Sequence, residues 1–145
     1  MASCSLGPAT AGLLERSLLA LEERAPASSL ALGSLPPRER DAAHRVLACS
    51  DFVARSLLSR DGLLPELIAD GSLKASRSLD DYRRQVEEVA IAAAGEEAPF
   101  MAGLRRLRQK EMVRIAWRDL AGDATTEQTL LEASWFAEAA IAGAT

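Results

Sequence analysis

Leu104-Arg105-Arg106-Leu107-Arg108-Gln109-Lys110-Glu111-Met112-Val113-Arg114-Ile115-Ala116-Trp117-Arg118-Asp119-Leu120 is the stretch that decides the fold of this chain. On a helical wheel Phe100, Met101, Leu104 and Leu107 share one stripe, and Glu111, Arg114 and Arg118 continue it. The apolar face therefore turns charged halfway along. Val113, Ala116, Trp117 and Leu120 open a second apolar face on roughly the opposite side. A helix patterned this way is buried on two sides and touches more than one neighbour.

Glu111 lies three residues before Arg114 and seven before Arg118, so its carboxylate can reach guanidinium groups along one face. Two readings follow. In the plainer one the acid and the arginines form a solvated surface pair worth roughly 0–1 kcal/mol. In the other they form a polar lock against another domain, with Arg105, Arg108, Glu111, Arg114 and Arg118 as interdomain or partner contacts.

Outward from this helix, punctuation by proline, glycine and capping residues divides the chain into helices. Toward the N-terminus, residues 1–12 read as loosely ordered, a helix spans about Leu13 to Arg24, and Pro26 stops it. Ala27–Pro37, with Ser28, Ser29, Gly33, Pro36 and Pro37, reads as a linker. A helix then begins near Pro37 and runs through Leu47, and Phe52, Val53, Leu57 and Leu58 continue or restart it until Asp61-Gly62. Pro65 opens a short helix that Gly71 ends. Ser78-Leu79-Asp80-Asp81 has the form of a capping box with Asp in place of Glu, for a helix that stops at Gly95. Pro99 falls in the first turn of the arginine-rich helix, and Gly122 closes it. Thr125 and Gln128 cap the last helix. No internal repeat or coiled-coil heptad run occurs.

The expected architecture is an all-α, irregular bundle of about five to seven helices with no sheet. Residues 1–36 are expected as a loosely ordered N-terminal segment with one helix and a linker, and 37–145 as the helical domain. Composition agrees: hydrophobic residues make up 48% of the 15.5 kDa chain while aromatics are only 4%, which favours helix and gives enough apolar surface for one core. No apolar run reaches the 18 or so residues of a membrane span.

The formal net charge of −4 argues against a nucleic-acid reader, which is more often basic overall and displays aromatics for stacking. The cations of the arginine-rich helix can instead be neutralised by acidic neighbours such as Glu127, Glu132 and Glu138. Cys4 and Cys49 are too few and too isolated for a disulfide framework or a zinc site. His44 has no ligand-spaced partner and reads as a surface residue. Asp80 and Asp81, adjacent at a helix start, read as N-terminal charges that suit the helix dipole. The start lacks the basic and apolar regions of a secretory signal, so the cytoplasm is the expected compartment.

Leu104-Arg105-Arg106-Leu107-Arg108 with Met112-Val113-Arg114-Ile115-Ala116-Trp117 matches the pattern L-R-x-(F/L)-R-x-x-x-M-x-R-I-A-W. With Ser50–Leu58, Pro65-Glu66-Leu67 and Glu127–Ile141, this resembles the glutamine synthetase adenylyltransferases, also called adenylyl-removing enzymes. The resemblance runs from about Ser50 to the end. Leu107 stands where the family often has an aromatic, and Trp135-Phe136 is bulkier than its usual residues, both tolerable apolar exchanges.

The resemblance implies a bifunctional enzyme that moves AMP from ATP, with Mg2+, onto a tyrosine of glutamine synthetase and removes it by phosphorolysis, under control of a PII-type signal protein. The family's nucleotidyltransferase signatures, a G-x-G-K-L-G-G turn followed by S-D-x-D, do not occur in these 145 residues. Ser50-Asp51 is followed by Phe52 and Val53, which supplies one carboxylate where a divalent cation needs more. No nucleophile with a base and no metal-ligand cluster stands out. No catalytic, metal-binding or cofactor-binding residue is therefore expected in this chain, which reads as the helical N-terminal portion of a longer enzyme, leading into a nucleotidyltransferase domain and bracing the adenylyl-removing half. The rival is a free-standing helical module that binds an acidic protein or nucleic acid through its arginine-rich helix.

Overall fold

The structure is a computed structural model that describes residues 8–144. Among these residues eight α-helices follow one another: α1 Pro8–Arg24, α2 Pro26–Gly33, α3 Pro37–Cys49, α4 Asp51–Ser59, α5 Leu63–Ala69, α6 Leu79–Ala92, α7 Glu97–Ala121 and α8 Thr126–Ala144, with a 3-10 turn at Ser72–Lys74. The all-α class is as expected, and the described residues contain no strand. The helix count exceeds five to seven for two reasons.

First, Ala27–Pro37 is not a linker. Pro26 ends α1 but also opens α2, because a proline's missing N–H costs nothing in a first turn. The free N–H groups of that turn find a partner far away in sequence: Ala27 and Ser28 donate to Asp61 Oδ1 at 3.0 and 3.3 Å, and Ser28 Oγ donates to the Asp61 carbonyl at 2.7 Å. Second, of the two readings open after Leu47, continuation or restart, the chain takes the restart, at Ser50. Ser50 is extended, and its hydroxyl caps α4 by accepting from the Val53 N–H at 3.2 Å.

The N-terminal helix begins at Pro8, so only residues 1–7 of the segment read as loose, Cys4 among them, lie outside the described residues. Three further caps are as read: Ser78 and Asp81 form the capping box of α6, Gly122 ends α7 in the left-handed region, and Thr125 and Gln128 exchange bonds at the start of α8, whereas α5 starts at Leu63, before Pro65, and ends at Ala69. Asp81 serves the α6 cap and pairs with Arg84, and Asp80, in the same first turn, pairs with Arg83. His44 is half-buried rather than exposed. Cys49, at the end of α3, is disulfide-bonded.

Helix α7 is the axis on which two apolar clusters meet. Its Val113 and Trp117 join Leu21, Leu32, Val46, Leu47, Val53, Leu57, Leu63, Leu64 and Leu67 from α1 to α5. On the other side Phe100, Leu104, Leu107 and Met112 pack on Tyr82 and Val86 of α6 and Phe136 and Ala139 of α8. The two-faced patterning is thus realised, and Trp117 is core, only 4% exposed.

Helices α6 and α8 run in the same direction, with α7 antiparallel to both, and glycines permit the close fit. A Cβ at Gly103 would lie 2.7 Å from Val89 Cγ1, and one at Gly143 would press on Val86 Cγ1. Tyr82 and Phe136 meet edge to face, ring centroids 5.6 Å apart.

Candidate functional site

Where the apolar stripe of α7 turns charged, it meets a matching polar patch of α6, α8 and the segment between the 3-10 turn and α6. Arg114, fully buried, is the hub. Its Nε donates to Glu111 Oε1 at 3.2 Å, Nη1 to the Ala75 carbonyl at 2.6 Å, and Nη2 to the Tyr82 hydroxyl at 2.9 Å and to Glu132 Oε1. One guanidinium therefore touches four different segments.

Glu132, 3% exposed, is the second hub. Oε1 also accepts from the Arg77 backbone N–H at 3.0 Å and from Tyr82 at 3.5 Å, and Oε2 accepts from Arg118 Nη1 at 3.4 Å. Arg118 Nη2 donates to the Asp123 carbonyl, which fixes the turn from α7 into α8. Arg77 completes the group, donating from Nε to Glu111 at 3.4 Å and from Nη2 to Ser72 Oγ at 3.0 Å.

The electrostatics follow from burial. Taking a guanidinium out of water works against its charge, but Glu111, the Tyr82 hydroxyl and Glu132 outweigh this and hold the Arg114 pKa above its ordinary value. Tyr82 is pushed well up, first by burial and then by Glu111 and Glu132, against the opposing pull of Arg114, so its phenol stays protonated. Glu111 Oε2 and Arg118 Nε have no hydrogen-bond partner among the described residues. Ion groups of this kind are costly to bury and derive their value from direction more than from net stability.

Of the residues singled out in sequence, Glu111, Arg114 and Arg118 come together here, and the groups facing them belong to this chain's own α6 and α8 and to the segments that precede each of them. Arg105 and Arg108 do not join them. They lie exposed on the N-terminal half of α7, near Phe52 of α4, and neither forms an ion pair among the described residues. Lys110, on the same helix, instead bonds Asp70 at 2.7 Å and Glu66 at 3.2 Å and ties α7 to α5.

Sequence reading missed Tyr82 and Arg77 and saw Glu132 only as a flanking charge. The signal for Glu132 was its position: it shares the inward face of α8 with Phe136 and Ala139, four and seven residues on. Nothing local marked Arg77, which reaches the cluster from outside any helix.

Both buried carboxylates are engaged by guanidinium groups, and no group of three His, Cys, Asp or Glu side chains able to hold a metal occurs among the described residues. No helix among them is long and apolar enough to cross a membrane.

Fold and site together define an all-α bundle whose helices are registered by a buried arginine–glutamate cluster. The family model for glutamate-ammonia ligase adenylyltransferase matches residues 41–145, and the chain belongs to this family. A bifunctional glutamine synthetase adenylyltransferase/adenylyl-removing enzyme of Thioalkalivibrio sulfidiphilus is 46% identical over 94 residues, which is 65% of this chain and 10% of the relative. Proteins of the same description from Pseudomonas syringae pv. tomato and Pseudomonas aeruginosa are 36% and 33% identical, over 73% and 79% of this chain and 11% and 12% of their own. The chain thus spans about a tenth of the length of these curated relatives. No solved structure matches it.

Proposed function

We propose that this chain is the helical, non-catalytic front of a bifunctional cytoplasmic enzyme that adenylylates and deadenylylates glutamine synthetase, and that it braces the adenylyl-removing half. Residues 37–145 form the helical domain that leads into a nucleotidyltransferase domain, and 1–36 form its N-terminal segment. ATP and Mg2+ act in the rest of the parent, where the Gly-rich turn and paired carboxylates lie. Glutamine synthetase and a PII-type signal protein are the parent's partners.

The observation that carries this reading is the placement of the cluster. Arg114 and Arg118 stand in the family-like motif of α7, and both are tied to Glu132 near the start of α8. Apolar packing is non-directional, whereas a guanidinium with fixed donors sets the rotation and height of each helix it touches. In this role Arg114 fixes α8 against α6 and α7, so the polypeptide that α8 leads into leaves at a set angle. Arg105 and Arg108, exposed and without acidic partners among the described residues, are the outward contacts of the same helix.

The test is replacement of Arg114 and Arg118 by Met in the parent enzyme, with thermal melting and deadenylylation of adenylylated glutamine synthetase as readouts. A lowered melting temperature or slowed deadenylylation is expected. Unchanged melting together with unchanged activity would refute the bracing role.

A second reading rests on the exposed cations Arg105 and Arg108: a helical module binding an acidic protein or nucleic acid. Binding of DNA or RNA that weakens steeply with salt near physiological ionic strength would favour it, because phosphate contacts release counterions.

A further inference from the structure

Helix α8 is apolar on two opposite faces, and the structure covers only one of them. Its inward row is Glu132, Phe136 and Ala139, all buried. Half a turn away stand Leu130, Ser134, Ala137 and Ile141, spaced four, three and four residues apart, all exposed. Leu130 is 65% exposed and Ile141 69% exposed, with Leu131 beside them at 40%.

The outer row, Leu130, Ala137 and Ile141 broken by Ser134, groups apolar side chains on one exposed helix face, and such a grouping marks a contact surface. The charges along its border are acidic, Glu127 and Glu138, the latter 3.8 Å from Arg83 of α6. Helix α8 itself contains no lysine or arginine. An occupant therefore presents apolar side chains flanked by cations.

We propose that the outer face of α8 is a docking surface for a basic-flanked amphipathic helix of the parent's own remaining polypeptide, seated on Leu130, Ala137 and Ile141. The inference rests on the reading of this chain as one part of a longer enzyme. Two facts select an intramolecular occupant. The curated relatives are about ten times as long as the segment they share with this chain. The row is also only three turns long, too small for a stable complex between free proteins but ample for a tethered segment, whose effective concentration reaches roughly the millimolar range.

Two measurements on the intact parent test it. In hydroxyl-radical footprinting of the unaltered protein, Leu130 and Ile141 are expected to be oxidised several-fold more slowly than exposed Leu13 and Leu30. With Ala137→p-benzoylphenylalanine, irradiation is expected to give a crosslink within one chain, mapping beyond residue 145. Oxidation of Leu130 and Ile141 as fast as Leu13 and Leu30 would overturn the proposal, as would a crosslink to a second copy, to a separate protein or to nothing. A parent that neither adenylylates nor deadenylylates glutamine synthetase would instead overturn the functional reading, and the footprint would still judge the docking face.

Discussion

Arg114 illustrates what residue types alone could and could not convey. The i,i+3 spacing to Glu111 was plain in the sequence, and so was the turn of an apolar stripe into a charged one. Whether the pair sat in water or in the core depended on Tyr82 and Glu132, which lie 32 and 18 residues away. Arg114→Met is expected to destabilise the fold by about 3–5 kcal/mol, because it leaves Glu111 and Glu132 buried with too little positive charge. Denaturant titration checks the value, and a loss below about 1 kcal/mol would match a solvated surface pair instead. Tyr82 supplies a pH signature. Its folded pKa lies above the unfolded value of about 10, so its stabilising effect is full below that pH and is lost as pH rises through the shifted range. Melting curves from pH 8 to 11 should therefore fall more steeply for the unaltered protein than for Tyr82→Phe, and parallel curves would contradict this.

At the scale of elements, legibility followed the reach of the signals. Caps that act within four residues, such as Ser78 with Asp81 and Thr125 with Gln128, were read correctly. Helix α2 was not, because its N-terminus is satisfied by Asp61, more than 30 residues on, and its Ser, Gly and Pro content imitates a loop. The close approach of α6 to α7 and α8 was equally hidden, since it depends on which glycines face which valines. Gly103→Ala and Gly143→Ala are each expected to destabilise by about 1–3 kcal/mol through overpacking, although alanine is the better helix former. Gly12→Ala in α1 meets nothing within 4 Å and should instead stabilise by about 0.5–1 kcal/mol. Thermal melts of the three variants give the signs directly, and a common sign for all three would contradict the packing described.

For the whole molecule, one long helix with two apolar faces sufficed to anticipate a bundle, and its motif sufficed to anticipate the family that residues 41–145 match. The arrangement of the bundle was not legible, because both apolar clusters are assembled from helices far apart in the chain. The division of labour between α7's buried cluster and its exposed Arg105 and Arg108 was hidden for the same reason. The central claim is that the cluster registers α8 for the parent's adenylyl-removing half. The most direct test is to compare deadenylylation with adenylylation in the parent enzyme carrying Arg114→Met and Arg118→Met. The account predicts a selective loss of deadenylylation alongside a lowered melting temperature; full activity in both directions with unchanged melting would contradict it.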